Sequence, residues 1–151
     1  MGMSEAKEYI ERYFARYPYV HDYMEKTKVF AREHGYVKSI TNREIVIPNI
    51  NSANQMAQRG AERAAINAPM QGSAADIIKL AMIKIQKWID GLSPDLVRMT
   101  VQVHDELLFE VKKDFVDEAL PVIKGTMEGI VKLSVPLEVG IGIADNWGDA
   151  H

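Results

Sequence analysis

At 151 residues, 47% of them hydrophobic, the chain is long enough to bury a core, and residues 4–151 read as a single domain after an added Met1-Gly2-Met3 start. No stretch approaches the roughly 18 apolar residues of a membrane span, no secretory leader precedes the first polar helix, and the lack of cysteine excludes disulfides and thiolate metal sites, as suits a reducing cytoplasm. A net charge of −3 counts against a uniformly basic nucleic-acid binder, while leaving room for one basic face.

Ile10, Tyr13, Phe14 and Tyr17 recur at helical spacing, which predicts a helix over Ser4–Tyr17. Pro18 interrupts it and suits the opening of a second helix, from about Tyr19 to Glu33, with Gly35 at its C-terminal end. Tyr36–Ile40 and Ile45–Pro48 read as strands around a turn in which Asn42 tolerates the left-handed conformation. Polar Asn49–Asn54 leads into a helical region reaching Asp90, with a break or bend expected near Pro69 and Gly72 and a stop at Gly91. Within it Ala74, Ile77, Ile78, Ala81, Ile85, Trp88 and Ile89 form an apolar stripe that belongs to the core. A hairpin over Val97–Val111 follows, then a helix capped by Asp114 and running to about Val131 past Pro121, then a last strand over Val135–Ile143. The order implies an α+β fold, an antiparallel sheet packed against long helices.

The hairpin carries unusual chemistry at its tip. Val97, Met99, Val101 and Val103 alternate with Arg98, Thr100, Gln102 and His104, so Arg98, Gln102 and His104 are expected to share a polar side opposite a buried one. Turns favour Gly, Asn or Pro for backbone reasons, and His104-Asp105-Glu106 offers none of these. A solvated acidic turn is the plain reading. The other is a cation site: neighbouring carboxylates repel unless something neutralises them, and all-oxygen ligands suit Mg²⁺ or Mn²⁺. Zn²⁺ would want more His or Cys.

A second pattern lies upstream. Arg59, Arg63, Asn67 and Gln71 recur every fourth residue and therefore share one helix face. A merely solvated stripe would mix in acids and lysines; this one is made of hydrogen-bond donors. Donors at that spacing suit the N3 and O2 acceptors of the DNA minor groove, which check pairing without reading sequence.

Together the patterns resemble a known family. Residues Ala61 to Asp76 (AERAAINAPMQGSAAD) resemble the long fingers-to-palm helix of the bacterial DNA polymerase I family, family A. Gln102-Val103-His104-Asp105-Glu106 resembles that family's motif C, and Asp145-Asn146-Trp147-Gly148-Asp149-Ala150-His151 its C-terminus. The resemblance runs from about Glu5 to His151. It implies a palm fold, catalytic roles for Asp105, Glu106 and His104, metal binding by Asp105 and Glu106, and minor-groove contacts from Arg63, Asn67 and Gln71. Arg59 is the candidate to replace arginines that the family often has where Ala57 and Gln58 stand. The cofactor it implies is Mg²⁺ or Mn²⁺, and the partners are primer–template DNA and, in the intact enzyme, a dNTP, in the bacterial cytoplasm at the nucleoid. Glu44 stands where the family has an arginine, which weakens a backbone-phosphate contact there.

Nothing in these residues resembles motif A, the dNTP-binding fingers helix, the thumb or an exonuclease. The expectation is a C-terminal palm with adjoining fingers helices, dependent on a missing N-terminal part that carries motif A and inactive by itself. A non-catalytic primer–template binding module is the alternative, and a folded fragment without activity the third reading.

Overall fold

The computed structural model describes residues 2–150, without the side chain of Met3; Met1 and His151 of the expected start and end lie outside the described residues. It has an α+β fold with two antiparallel two-stranded sheets. The chain divides into two compact units, Met1–Ser73 and Ala74–His151.

In the first unit, α1 (Met3–Arg16) ends just before Pro18, which occupies the first position of α2 (Pro18–His34). Proline suits that place because its missing N–H has no intrahelical partner there anyway. Gly35 closes α2 in the left-handed conformation, φ 79°, with its N–H on the Ala31 carbonyl. Strands β1 (Tyr36–Lys38) and β2 (Glu44–Val46) are shorter than the sequence suggests, and Val37 pairs with Ile45. Asn42 takes the left-handed turn position at φ 63°, as expected. The Asn54 side chain accepts from the N–H groups of Met56 (2.9 Å) and Ala57 (3.2 Å), which caps the start of α3 (Gln55–Ile89). Ala31, Val37, Ile47, Ile50, Ala61 and Ala65 form the core of this unit, with Ile45 and Ala68 against it.

Pro69 does not break α3, which stays helical through all of its 35 residues. Proline removes the donor for the Ala65 carbonyl. The Ser73 hydroxyl secures the same turn by donating to the Pro69 carbonyl at 2.5 Å, while Ser73 Oγ also accepts from the Ile40 N–H at 2.8 Å. Gly72 is buried: a Cβ there would stand 2.4 Å from Ile45 Cδ1, so only glycine lets helix and strand approach this closely.

In the second unit, Ala81 and Ile85 of the expected apolar stripe are buried, Ile77, Ile78, Trp88 and Ile89 are half-buried, and Ala74 is exposed. The hairpin β3 (Val97–Val103) and β4 (Glu106–Val111) follows, with Val97 in the core. Three expectations fail here. Asp114 does not cap α4 (Val116–Glu128): it lies in a 3-10 turn, Lys113–Phe115, and pairs with Lys112 at 3.2 Å, while Phe115 takes the cap position with no side-chain bond. The helix stops at Glu128 with Gly129 after it, short of Val131. Val135–Ile143 forms no strand, because among the described residues no other strand pairs with it and an unpaired segment has no ladder. The Val139 N–H in this segment donates to the Glu128 carboxylate at 3.0 Å. Among the described residues, no helix is long and apolar enough to cross a membrane.

Candidate functional site

The hairpin tip is built by cross-strand register. Val97 opposes Val111, Arg98 opposes Glu110 and Met99 opposes Phe109, after which Val101, Gln102 and Val103 oppose Leu108, Leu107 and Glu106. Thr100 is therefore one residue too many on β3, a bulge, and its hydroxyl donates to the Leu108 carbonyl at 3.1 Å. The extra residue inverts the pleat beyond it. Directly opposed residues share a face, so Gln102 moves to the side of Leu107, Phe109 and Met99, while Val101 and Val103 join Leu108 and Glu106 on the side of Arg98 and Glu110.

The single polar side expected for Arg98, Gln102 and His104 is thus corrected, and Val101 is exposed rather than buried. On the inverted face, Val101, Val103 and Leu108 line a shallow depression with Glu106, Leu107 and Trp147, the last from the 3-10 turn Trp147–Asp149. Arg98 reaches Glu110 at 3.6 Å, with both side chains 70% exposed. Alternation in one strand holds no information about its partner's register, so the bulge is not legible in Val97–His104 alone.

Two residues, His104 and Asp105, close the loop. His104 takes the first of the two loop positions with φ 53°, a backbone conformation that glycine adopts without cost. A side chain there costs about 1–2 kcal/mol. Histidine does enter this region more often than most residues, which gives His104 a backbone reason to sit in the turn. The Gln102 amide donates to the His104 carbonyl at 2.6 Å. His104, Asp105 and Glu106 are all exposed, and Asp105 has no cationic partner among the described residues.

Arg59, Arg63, Asn67 and Gln71 are all exposed on the unbroken α3, opposite buried Ala61 and Ala65. On α1 some surface charges do pair, Lys7 with Glu11 and Arg12 with Glu8. Among the described residues these four side chains have no ion-pair or hydrogen-bond partner. Glu62, the acid nearest in sequence to Arg63, is engaged by Arg32. Tyr23 braces the same stretch by donating to the Ile66 carbonyl at 3.0 Å, and Arg43 donates to the Gly72 carbonyl at 3.1 Å. The structure thus gathers His104, Asp105 and Glu106 at one turn and the four donors on one helix face.

Whether the turn suits a metal depends on its donors. Asp105 and Glu106 supply hard oxygen ligands, which fit a hydrated Mg²⁺ or Mn²⁺ that takes its other ligands from water and phosphate. Among the described residues no group of three or more His, Cys, Asp or Glu side chains comes together as a metal cluster. The pair fits as part of a ligand set.

The family model for DNA polymerase family A matches residues 1–149. The chain belongs to this family. The family A chain is 47% identical to the DNA polymerase I of Pseudomonas aeruginosa over 147 positions, covering 97% of this chain and 16% of that one. It is 50% identical to the DNA polymerase I of Rhizobium leguminosarum over 154 positions, covering 98% and 15%. Against the thermostable DNA polymerase I of Thermus aquaticus the identity is 40%, covering 95% and 17%. Among solved structures it matches the POL domain of Pol1 from M. smegmatis, in complex with DNA primer-template and dNTP, with a TM-score of 0.93 and 41% identity, over 99% of this chain and 26% of that one. This family A chain therefore corresponds to the C-terminal palm region and spans about one sixth of the curated relatives' length. Family A polymerases use divalent metal ions.

Proposed function

We propose that this chain supplies two parts of a template-directed nucleotidyl-transfer centre: a duplex-gripping helix face and a metal-holding carboxylate turn. On this reading Arg63, Asn67 and Gln71, with Arg59 beside them, donate to minor-groove acceptors and adjoining phosphates of primer–template DNA. Asp105, with Glu106 next to it, holds Mg²⁺ or Mn²⁺, and His104 stands near the primer terminus. In the assembled enzyme the primer 3′-oxygen bonds to the α-phosphorus of a dNTP. The bond from that phosphorus to the bridging oxygen breaks, pyrophosphate leaves, and the hydroxyl proton passes to solvent. The metal supplies charge neutralisation along that path. What remains for the protein is positioning, which the rigid helix and the short turn provide. The setting is the bacterial cytoplasm, at the nucleoid.

The observation that carries the reading is the row of four exposed donors without a partner among the described residues. On α1, by contrast, basic residues pair with acids one turn away, as Lys7 with Glu11 and Arg12 with Glu8. The test is binding of a fluorescent primer–template duplex at low salt. The expected result is sequence-independent binding that weakens with salt, and Arg63→Ala lowers the affinity and reduces the salt slope by about one. Absence of binding at low salt refutes the grip. The 151-residue chain does not extend a primer alone, since a single carboxylate turn leaves too much phosphate charge uncompensated. Extension by the purified chain, abolished by Asp105→Ala, would overturn that statement.

A further inference from the structure

The turn that presents Asp105 is held in a conformation its own sequence disfavours. His104 occupies the left-handed region at φ 53°, in a two-residue loop where glycine is the ordinary residue. The Gln102 Nε2 donates to the His104 carbonyl at 2.6 Å. That carbonyl belongs to the peptide joining His104 to Asp105, so fixing it fixes the plane from which the Asp105 side chain departs. The reach depends on register. The bulge at Thr100, locked by its hydroxyl on the Leu108 carbonyl at 3.1 Å, places Gln102 opposite Leu107, with the Val103–Glu106 pair between it and the loop. Gln102 is exposed and bonds to the turn rather than to the core, so packing does not account for an amide there.

We propose that Gln102 is a positioning residue: its amide clamps the His104 carbonyl, holds the left-handed turn, and so orients the Asp105 carboxylate toward a divalent cation. The positioning role rests on the metal-binding reading of Asp105 given above; the clamp itself does not. Glycine at 104 would adopt the turn unaided, so the clamp should matter only while residue 104 carries a side chain.

The test uses the isotope-labelled full chain and its Gln102→Ala, Gln102→Glu, His104→Gly and Gln102→Ala/His104→Gly variants. Two quantities are read by nuclear magnetic resonance. One is the strong intraresidue amide-to-Hα contact that marks a left-handed residue at 104; the other is Mn²⁺-induced broadening of the Asp105 and Glu106 amides. Gln102→Ala should weaken the contact at His104 and lower the apparent Mn²⁺ affinity about threefold to tenfold, the range one net hydrogen bond provides. Gln102→Glu, which cannot donate, should weaken the contact likewise. In the double variant, glycine should restore the Mn²⁺ affinity and the Asp105 amide position. An unchanged contact in Gln102→Ala overturns the clamp, as does an equal loss of affinity with and without glycine at 104. Absence of Mn²⁺ broadening at Asp105 in the unaltered chain overturns the positioning role and the metal reading together, and an intact contact at His104 would identify that failure as the metal's.

Discussion

Tyr23 is the side chain through which α2 braces the donor-bearing helix, and replacing it tests that brace. It is half-buried, and its hydroxyl donates to the Ile66 carbonyl at 3.0 Å. Burial raises its pKa above the ordinary 10.0, and a hydrogen bond with Thr27 pulls it back only in part. In Tyr23→Phe the ring still fills its space and the Ile66 carbonyl keeps its place in the helical ladder, so the loss is one net hydrogen bond, about 1 kcal/mol. For a chain of this length that lowers the melting temperature by roughly 3 °C. The pH dependence has a definite sign. The folded state binds the tyrosine proton more tightly than the unfolded state does, so this contribution is fully present below the unfolded pKa of about 10 and is lost as pH rises through the raised folded value. Urea unfolding of the two proteins from neutral to strongly alkaline pH isolates the effect, because every other group titrates in both. The wild-type advantage should be constant up to about pH 9 and shrink above it. Equal stability at neutral pH, or an advantage that stays flat through the alkaline range, would refute the argument.

Two further substitutions probe the turn of α3 next to Gln71. Gly72→Ala gains about 1 kcal/mol of helix propensity but puts a methyl 2.4 Å from Ile45 Cδ1 and 3.2 Å from Arg43 Nη2. Overpacking of this kind costs about 1–3 kcal/mol, so denaturant melts should show a net loss of about 1 kcal/mol, and unchanged stability would mean Ile45 yields freely. Pro69→Ala returns a donor to the Ala65 carbonyl and should stabilise the chain by about 1–2 kcal/mol, after offsetting the looser unfolded state. A melting temperature that does not rise would place no strain at Pro69.

Much of this protein was written in its local sequence. Pro18 opens α2, Gly35 and Asn42 take left-handed positions, and Arg59, Arg63, Asn67 and Gln71 share an exposed face, because each follows from the φ preference of one residue or the period of one helix. The family was legible for the same reason, since its motifs are short and contiguous. What only tertiary structure decided concerns pairs of segments. The bulge at Thr100 turned Val101 outward and moved Gln102 to the other face, a result of register against β4. Pro69 left α3 intact where Ser73 bridges to the Ile40 backbone. Val135–Ile143 alternates as a strand should yet forms none, for want of a partner among the described residues. A helix satisfies its own backbone, so its sequence suffices to foretell it; a strand borrows its hydrogen bonds from another segment, and only the folded chain says which one.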